Sequence, residues 1–519
     1  MLTKILNNRL IIVFVLPFIL GLSSIYSFAP YNFFFLNFLI IPALFLILSY
    51  VRKRSKNIYR KKPFLSNLFY VGYFFGIGFF LSATHWISYS LTFDKTFNYL
   101  IPFSLILMPA FLGLFYGIAS LLSGFFIKNN FSSILLFCGS FSFMDYLRGK
   151  ILSGFPWNLW SYSISHYPEM LQLISRIGTF AFNLIVLTFF CLPILLIFKK
   201  KINYLIFSLF IIFVYSNYIY GSYVINNNID EVLKLKNNDK TNINLKIISP
   251  NFKLKYNLSD SDISDSLTKL IKYSEPKKNT KTIFIWPEGV FSGYYFEDIK
   301  KFKDKIKNNF SEKHLIIFGS NTLDKNTNQY YNSLVVINNN FDLIYRYNKV
   351  KLVPFGEFLP AKNIFNKIGL KKITQGYGSF SKGTSQNNLI FQNLNMLPMI
   401  CYEIIFPEIV QSSSINTNLI VNISEDAWFG NSVGPHQHFS KAIFRAIESN
   451  TYLARSANQG ISAFINNKGQ VLKSLRPNEK GNIELIVPLV NSNLKNRNDL
   501  IFFILLFTYT IIFLTLRNK

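Results

Sequence analysis

The sequence predicts a polytopic α-helical membrane domain of about eight spans joined to an α/β domain. Two observations carry that expectation. Of the 519 residues 50% are hydrophobic and 15% charged, against roughly 25% charged in ordinary soluble domains. The charge is also segregated. Long uncharged stretches dominate up to about residue 222, whereas from about residue 243 short apolar runs alternate with Asn- and Lys-rich segments. This pattern excludes a soluble globule and, equally, a disordered chain.

A helical span takes about 20 mostly apolar residues, and such stretches lie near 10–28, 32–51, 67–89, 100–127, 131–147, 172–198, 203–222 and 500–516. The fifth contains Asp145 near its end. The first, behind Lys4 and Arg9, is expected to be a retained anchor. Its apolar run passes typical signal-peptide length and offers no small-x-small cleavage site. The expected organisation is a membrane domain over 1–222 with about seven helices, a polar domain over 223–499, and a last helix with its tail over 500–519.

Orientation follows from Lys and Arg, which collect in short cytoplasmic loops. Arg52-Lys53-Arg54-Ser55-Lys56, continuing to Arg60-Lys61-Lys62, puts the loop after the second span inside. Lys128, Lys199-Lys200-Lys201 and Arg517-Asn518-Lys519 fall on the same side if there are eight spans. That parity places residues 223–499 outside the cytoplasm. The net charge of +28, from 54 Lys+Arg against 26 Asp+Glu, accompanies abundant Asn, Ile and Phe, as A- and T-rich coding DNA would produce. No basic stripe interleaved with stacking aromatics marks the polar region, so nucleic acid is not an expected partner. Anionic lipid head groups are a secondary one.

Within the polar domain Asn244–Ile248, Thr282–Trp286, Leu315–Phe318, Ser333–Ile337, Asp342–Tyr347, Met396–Cys401, Leu419–Ile423 and Ile461–Ile465 read as strands. Ser259–Tyr273, Lys300–Asn308 and Pro435–Asn450 repeat apolar residues at helical spacing. Three short sequences sit at strand ends, where α/β folds place working groups: Trp286-Pro287-Glu288-Gly289, Lys349 through Glu357, and Cys401-Tyr402-Glu403. Taken singly, each has a plain explanation: Cys401 as core filler, Glu288 as a turn cap, Lys349 as a solvated lysine. Together they supply an acid, an amine and a thiol in one exported domain. Cys138 and Cys191 lie in expected spans, so Cys401 is the only thiol of that domain and no disulfide can form within it. A lone thiol on the oxidising side points toward chemistry.

The three groups are the set that thiol catalysis needs. An ordinary thiol, with a pKa near ~8.5, is mostly protonated at neutral pH and needs a base or cation beside it. Glu288 can accept the thiol proton and return it. Lys349 can stabilise the thiolate and a tetrahedral oxyanion. The product is a thioester that an amine can attack. His436-Gln437-His438 suggests a metal only at first sight, because no third ligand cluster accompanies it and His314 is the only other His of the domain. No metal or cofactor is expected, and His438, Asp426 and Arg455 are read as structural.

Glu288, Lys349 and Cys401 in these contexts resemble the catalytic triad of the nitrilase (carbon-nitrogen hydrolase) superfamily. Leu352 through Pro360 and Cys401-Tyr402-Glu403 resemble a narrower group, the apolipoprotein N-acyltransferase family. So do Phe28-Ala29-Pro30-Tyr31, His85-Trp86, Gly154-Phe155-Pro156-Trp157, Ala427-Trp428-Phe429-Gly430, Gly434 through Phe439 and Arg455 through Gly460. Glu425 departs from that pattern, in which Asn is expected. The resemblance implies an α-β-β-α sandwich for the polar domain and a multi-pass protein of the bacterial inner membrane with a periplasmic catalytic domain. It implies transfer of an acyl chain through a Cys401 thioester. The donor would be a phospholipid, typically the sn-1 chain of phosphatidylethanolamine. The acceptor would be the α-amino group of the N-terminal diacylglyceryl-cysteine of an apolipoprotein. It further implies that Glu357 supports Lys349, and that Tyr402 and Glu403 shape the pocket.

Both substrates keep acyl chains in the bilayer, so apolar loops are expected at the pocket mouth. Phe291–Phe296 and Phe358–Leu370, with Phe365 and Leu370 foremost, are candidates; packing within the domain is the alternative for these aromatics. Trp157 is expected at the membrane interface or against substrate. Two other functions compete. A membrane-tethered carbon-nitrogen hydrolase would let water resolve the thioester. A transporter or scaffold would not need Cys401, though no charged transport pathway is evident in the spans.

Overall fold

A computed structural model describes residues 8–58, 63–236, 242–255, 258–360, 379–385, 387–391, 393–412, 416–489 and 499–517. The chain divides into two compact units, Met1–Tyr223 with Arg497–Lys519, and Val224–Asn496.

The first unit is helical, as apolar runs must be where no water can satisfy the backbone. Among the described residues five helices are long and apolar enough to cross a membrane: Phe34–Arg54, Leu65–Phe93, Lys95–Gly124, Thr179–Ile197 and Lys201–Asn228. Ile11–Ser27 and Leu500–Leu516 are apolar but shorter. The helix Phe131–Lys150 stands where a fifth span was expected but carries Asp145, Arg148 and Lys150. Among the described residues, five of the eight expected spans thus meet the criterion of length and composition. The stretch 172–198 is not one helix either. Gly178, at φ +80°, separates Ile174–Ile177 from the helix that starts at Thr179.

The charges of Phe131–Lys150 are paired. Arg148 Nη2 meets Asp145 Oδ1 at 2.8 Å, Tyr116 donates its hydroxyl to the same oxygen at 3.2 Å, and Asn183 Nδ2 reaches Oδ2 at 3.3 Å. Arg148 also lies over the Phe80 ring and donates to the Phe155 carbonyl, while the Phe155 N–H returns to the Arg148 carbonyl. This folds the Gly154–Trp157 turn inward. Trp157 is consequently only 1% exposed, with its ring centre 4.7 Å from that of Trp86. The interface position expected of it is not found, because the turn that carries it is tied to a buried arginine. At one end of the unit three separate segments bring basic residues together. Arg52 Nη1 donates to the Ile127 carbonyl and Lys128 Nζ to the Arg517 carbonyl.

Among the described residues the second unit contains twelve strands in two sheets. The first is ordered β12-β1-β2-β3-β4-β5, with β1 Asn242–Ser249, β2 Thr282–Ile285, β3 His314–Asp324, β4 Gln329–Ile337, β5 Leu343–Asn348 and β12 Gly481–Pro488. The second is ordered β11-β10-β9-β8-β7-β6, with β6 Leu389–Phe391, β7 Leu394–Ile400, β8 Leu419–Glu425, β9 Tyr452–Asn458, β10 Ser462–Ile465 and β11 Val471–Leu475. Each sheet has a parallel trio at its centre, β1-β2-β3 and β7-β8-β9, and antiparallel strands outside it.

One core lies between the sheets, where Leu245, Ile283, Ile285 and Leu334 pack with Met396, Ile400, Val421 and Ile423. On the outer face of the first sheet Phe284, Trp286, Ile316 and Phe318 meet Ile263, Leu267 and Leu270 of the helix Asp260–Ser274. That helix starts with a Ser259/Asp262 capping box, which satisfies free N–H groups of its first turn. On the far face of the second sheet the helix Gly434–Ser449 buries Ala442, Phe444, Ala446 and Ile447. The layers are therefore α-β-β-α. Phe291 and Phe296 belong to the outer core and are buried, so they do not form an apolar mouth. Phe365 and Leu370 lie outside the described residues.

Arg148→Leu leaves Asp145 buried without its cation, a change that costs about 3–5 kcal/mol. Adding Asp145→Asn to it should restore most of the thermal midpoint of the detergent-purified protein. Equal midpoints for Arg148→Leu and wild type would show the pair to be dispensable.

Candidate active site

The ends of β2, β5 and β7 deliver the three residues expected from the sequence. Glu288 follows β2 by a Trp-Pro step, Lys349 directly follows β5, and Cys401 directly follows β7. Glu288 can approach β3 closely because residue 319 is Gly. A Cβ there would lie 2.8 Å from the Glu288 Cα, nearer than such atoms approach.

Lys349 is 1% exposed and stands between two carboxylates, with Nζ 2.8 Å from Glu357 Oε1 and 3.6 Å from Glu288 Oε1. Asn332 on β4 ties the same two oxygens together through its Nδ2, at 2.8 Å to Glu288 and 2.7 Å to Glu357. Its carbonyl accepts the Lys349 N–H at 2.9 Å. Glu288 Oε2 accepts the backbone N–H of Glu425 at 3.0 Å, and Glu357 Oε2 that of Val353 at 2.9 Å. Both carboxylates thus have set orientations. Burial works against the Lys349 ammonium, but Glu357 and Glu288 outweigh it and hold its pKa above the ordinary lysine value.

Cys401 adopts φ +47°, a left-handed conformation that a residue with a Cβ enters at a cost of about 1–3 kcal/mol. Glu403 stabilises that turn. Its Oε2 accepts the Ile400 N–H at 2.8 Å, while Oε1 accepts the Val350 and Lys351 N–H groups and the Tyr347 hydroxyl. One buried carboxyl therefore couples the Lys349 segment to the nucleophile turn, and burial pushes its pKa up. Glu403 acts as a strut rather than as pocket wall. Tyr402 is buried, with its ring edge-on to Phe406. Burial raises the Cys401 thiol pKa and the Glu288 carboxylate adds to this, while Lys349 opposes it. Of the carboxylates that act on this thiol, Glu288 acts most strongly.

Behind Cys401 lies a second buried network. Asp426 Oδ1 accepts from Ser424, Oδ2 accepts from Arg455 at 2.8 Å, and Arg455 also donates to Asn422. His438 places Nε2 3.2 Å from the Cys401 carbonyl and Nδ1 3.0 Å from both Arg455 Nη2 and Asp426 Oδ1. Burial, with Arg455, lowers the His438 pKa to about 4. The neutral ring thus has the Cys401 carbonyl at Nε2 and both Asp426 Oδ1 and Arg455 at Nδ1. Asp426, despite burial, is held below the usual carboxylate range by Arg455 and His438.

Sequence reasoning missed Asn332, Ser424 and Asn458. A signal existed for the first: Asn is unfavourable inside a strand, and Asn332 lies within β4, two residues before its apolar run Leu334–Ile337.

Residues 20–192 match the family model for the apolipoprotein N-acyltransferase N-terminal domain, and residues 255–494 that for carbon-nitrogen hydrolase. An apolipoprotein N-acyltransferase of Rickettsia prowazekii is 31% identical over 486 residues, spanning 91% of this chain and 92% of that protein. One of Allorhizobium ampelinum is 30% identical over 427 residues, spanning 80% and 79%.

His438 is neutral when folded down to about pH 4, whereas an unfolded histidine takes up a proton near 6.5. Its contribution to stability is complete above pH 6.5 and is lost as pH falls from there to about 4. The thermal midpoint of the purified protein should drop through that window, and His438→Gln should flatten the drop. Parallel pH profiles for the two proteins would contradict the neutral state of the buried ring.

Proposed function

The chain belongs to the apolipoprotein N-acyltransferase family, and on that premise we propose that Cys401 carries an acyl chain from a phospholipid to the amino terminus of an apolipoprotein. The protein is an acyltransferase of a membrane-embedded, carbon-nitrogen-hydrolase type, and it N-acylates apolipoproteins. The observation that carries the residue assignment is the Lys349 ammonium held between Glu288 and Glu357 and acting, with Glu288, on the Cys401 thiol.

In the first half-reaction Glu288 takes the thiol proton and the sulfur attacks the ester carbonyl of the donor. The sn-1 chain of phosphatidylethanolamine is the proposed donor. Glu288, Glu357 and Lys349 together carry one negative charge, and the transfer only moves it from carboxylate to sulfur. No new charge is created in a buried site, where an extra one would be costly. Lys349 then faces the oxyanion of the tetrahedral intermediate. The C–O bond breaks, Glu288 returns its proton to the leaving oxygen, and a lysophospholipid departs from the acyl thioester.

In the second half-reaction the α-amino group of the diacylglyceryl-cysteine attacks the thioester. Glu288 accepts the amine proton, the C–S bond breaks, and the proton passes to the sulfur. An amide is formed and the enzyme returns to its starting state. Glu357 keeps Lys349 in place, and Glu403 keeps the Lys349 segment at fixed distance from Cys401.

The proposed setting is the bacterial inner membrane with the catalytic domain in the periplasm. The convergence of Arg52, Lys128 and Arg517 segments at one end of the helical unit supports a single cytoplasmic end.

The test is mass spectrometry of the detergent-purified protein after incubation with phosphatidylethanolamine, followed by a chase with a diacylglyceryl-cysteine peptide. The expected result is an acyl adduct on Cys401 that disappears into N-acylated peptide. Cys401→Ala should form none, and Glu288→Gln should form it about 10²- to 10⁴-fold more slowly. An adduct lost to water at the same rate with and without peptide would identify a hydrolase instead.

A further inference from the structure

Glu425 is the one residue at the site that departs from the expected family pattern, and its carboxyl has no part in the steps above. It is the last residue of β8 and is 4% exposed. Its backbone N–H donates to Glu288 Oε2 at 3.0 Å. The carboxyl packs on the residue after Glu288: Gly289, at φ +76°, would bring a Cβ within 2.6 Å of Glu425 Oε2. Only glycine suits that place, for its backbone angle and for the carboxyl pressed against it.

The charged surroundings of this carboxyl are uneven. Asn458 Nδ2 on β9 donates to both of its oxygens at 2.9 Å, and the Ala427 N–H donates to Oε1 at 3.1 Å. Against these donors stand burial and the negative charges of Glu288, after β2, and Asp426, next along the chain, and the balance raises its pKa well above the ordinary value. Asp426 is itself paired with Arg455 and faces His438. On its other side Glu425 lines a small cavity with Ser266, Ser292 and the exposed Lys253 and Lys255, the latter paired with Asp262. Through that cavity the carboxyl adjoins polar and exposed basic residues that are not among the catalytic groups.

We infer that Glu425 is a second titrating carboxyl of the site, a positioning residue whose ionisation drives negative charge from Glu288 onto the Cys401 sulfur and so sets the pH at which the acyl-enzyme forms. The inference rests on the assignment of Glu288 as base. When Glu425 is protonated, Glu288 keeps its negative charge at little cost. When Glu425 loses its proton, two carboxylates stand on either side of Gly289, and transfer of the thiol proton to Glu288 relieves the repulsion. The Asn expected here in the family pattern supplies no such charge.

The experiment measures the rate of acyl-adduct formation on Cys401 from phosphatidylethanolamine across the neutral pH range, with full-length protein in detergent. Alkylation of Cys401 by iodoacetamide is followed in parallel as a readout of thiolate. Wild type should show two protonic steps in both. Glu425→Gln should show one, with the upper step, about tenfold for one unit of coupling, missing. Superimposable profiles overturn the inference. Should Glu425→Gln not fold, as judged by thermal unfolding, Glu425→Asn supplies the comparison. If neither folds, the wild-type profile decides, since a single step there overturns the inference while leaving the function intact. Absence of any adduct at every pH would overturn the function and this inference with it.

Discussion

The structure around the nucleophile depends on one buried cation. An ammonium at the position of Lys349 would shed its proton or leave the interior if it stood alone. Glu288 and Glu357 keep it charged, and Asn332 spans the two carboxylates so that neither can turn away. Each partner is then anchored to backbone: Glu288 to the end of β8, Glu357 to Val353, and Lys349 to Asn332. A small ion cluster thereby defines where four separate chain segments come to rest.

The cluster also joins the two sheets. Glu288, Asn332 and Lys349 come from the first sheet, whereas Cys401 and the N–H of Glu425 come from the second. Glu403 makes the same connection with a single carboxyl, which receives N–H groups from Ile400 on one side and from Val350 and Lys351 on the other. The apolar core between the sheets provides most of the stabilisation, while these polar ties determine its register at the reactive edge. The Asp426, Arg455 and His438 network does for the Cys401 carbonyl what Glu403 does for the preceding N–H.

Much of this was legible in the sequence because it depends on local pattern. Strands β1, β2, β3, β4, β5, β7, β8 and β10 announce themselves as short apolar runs, and the helix Asp260–Ser274 by spacing and its capping residues. The acid, amine and thiol were visible because each ends such a run. Strand β9 was hidden, since Arg455, Ser456 and Asn458 make it look like a loop, and only tertiary partners such as Asp426 and Asn422 explain those residues inside a sheet. Strands β11 and β12 lie at sheet edges, where exposure removes the apolar signature. Trp157 misled for a related reason. A tryptophan after Gly-Phe-Pro fits an interface by composition, but the pull of Arg148 on Phe155 is a long-range fact that no window reveals.

The pairing of β1 with β12 along its whole length, from Asn242 with Pro488 to Ser249 with Gly481, bears on how the molecule is made. The strand that borders β1 is among the last parts of the polar domain to leave the ribosome. Until then one edge of the first sheet presents open backbone groups, and the sandwich that aligns the cation with the thiol is unfinished. Lys349 and Cys401, both earlier in the chain than β12, thus have a finished first sheet beside them only once Gly481–Pro488 has been made.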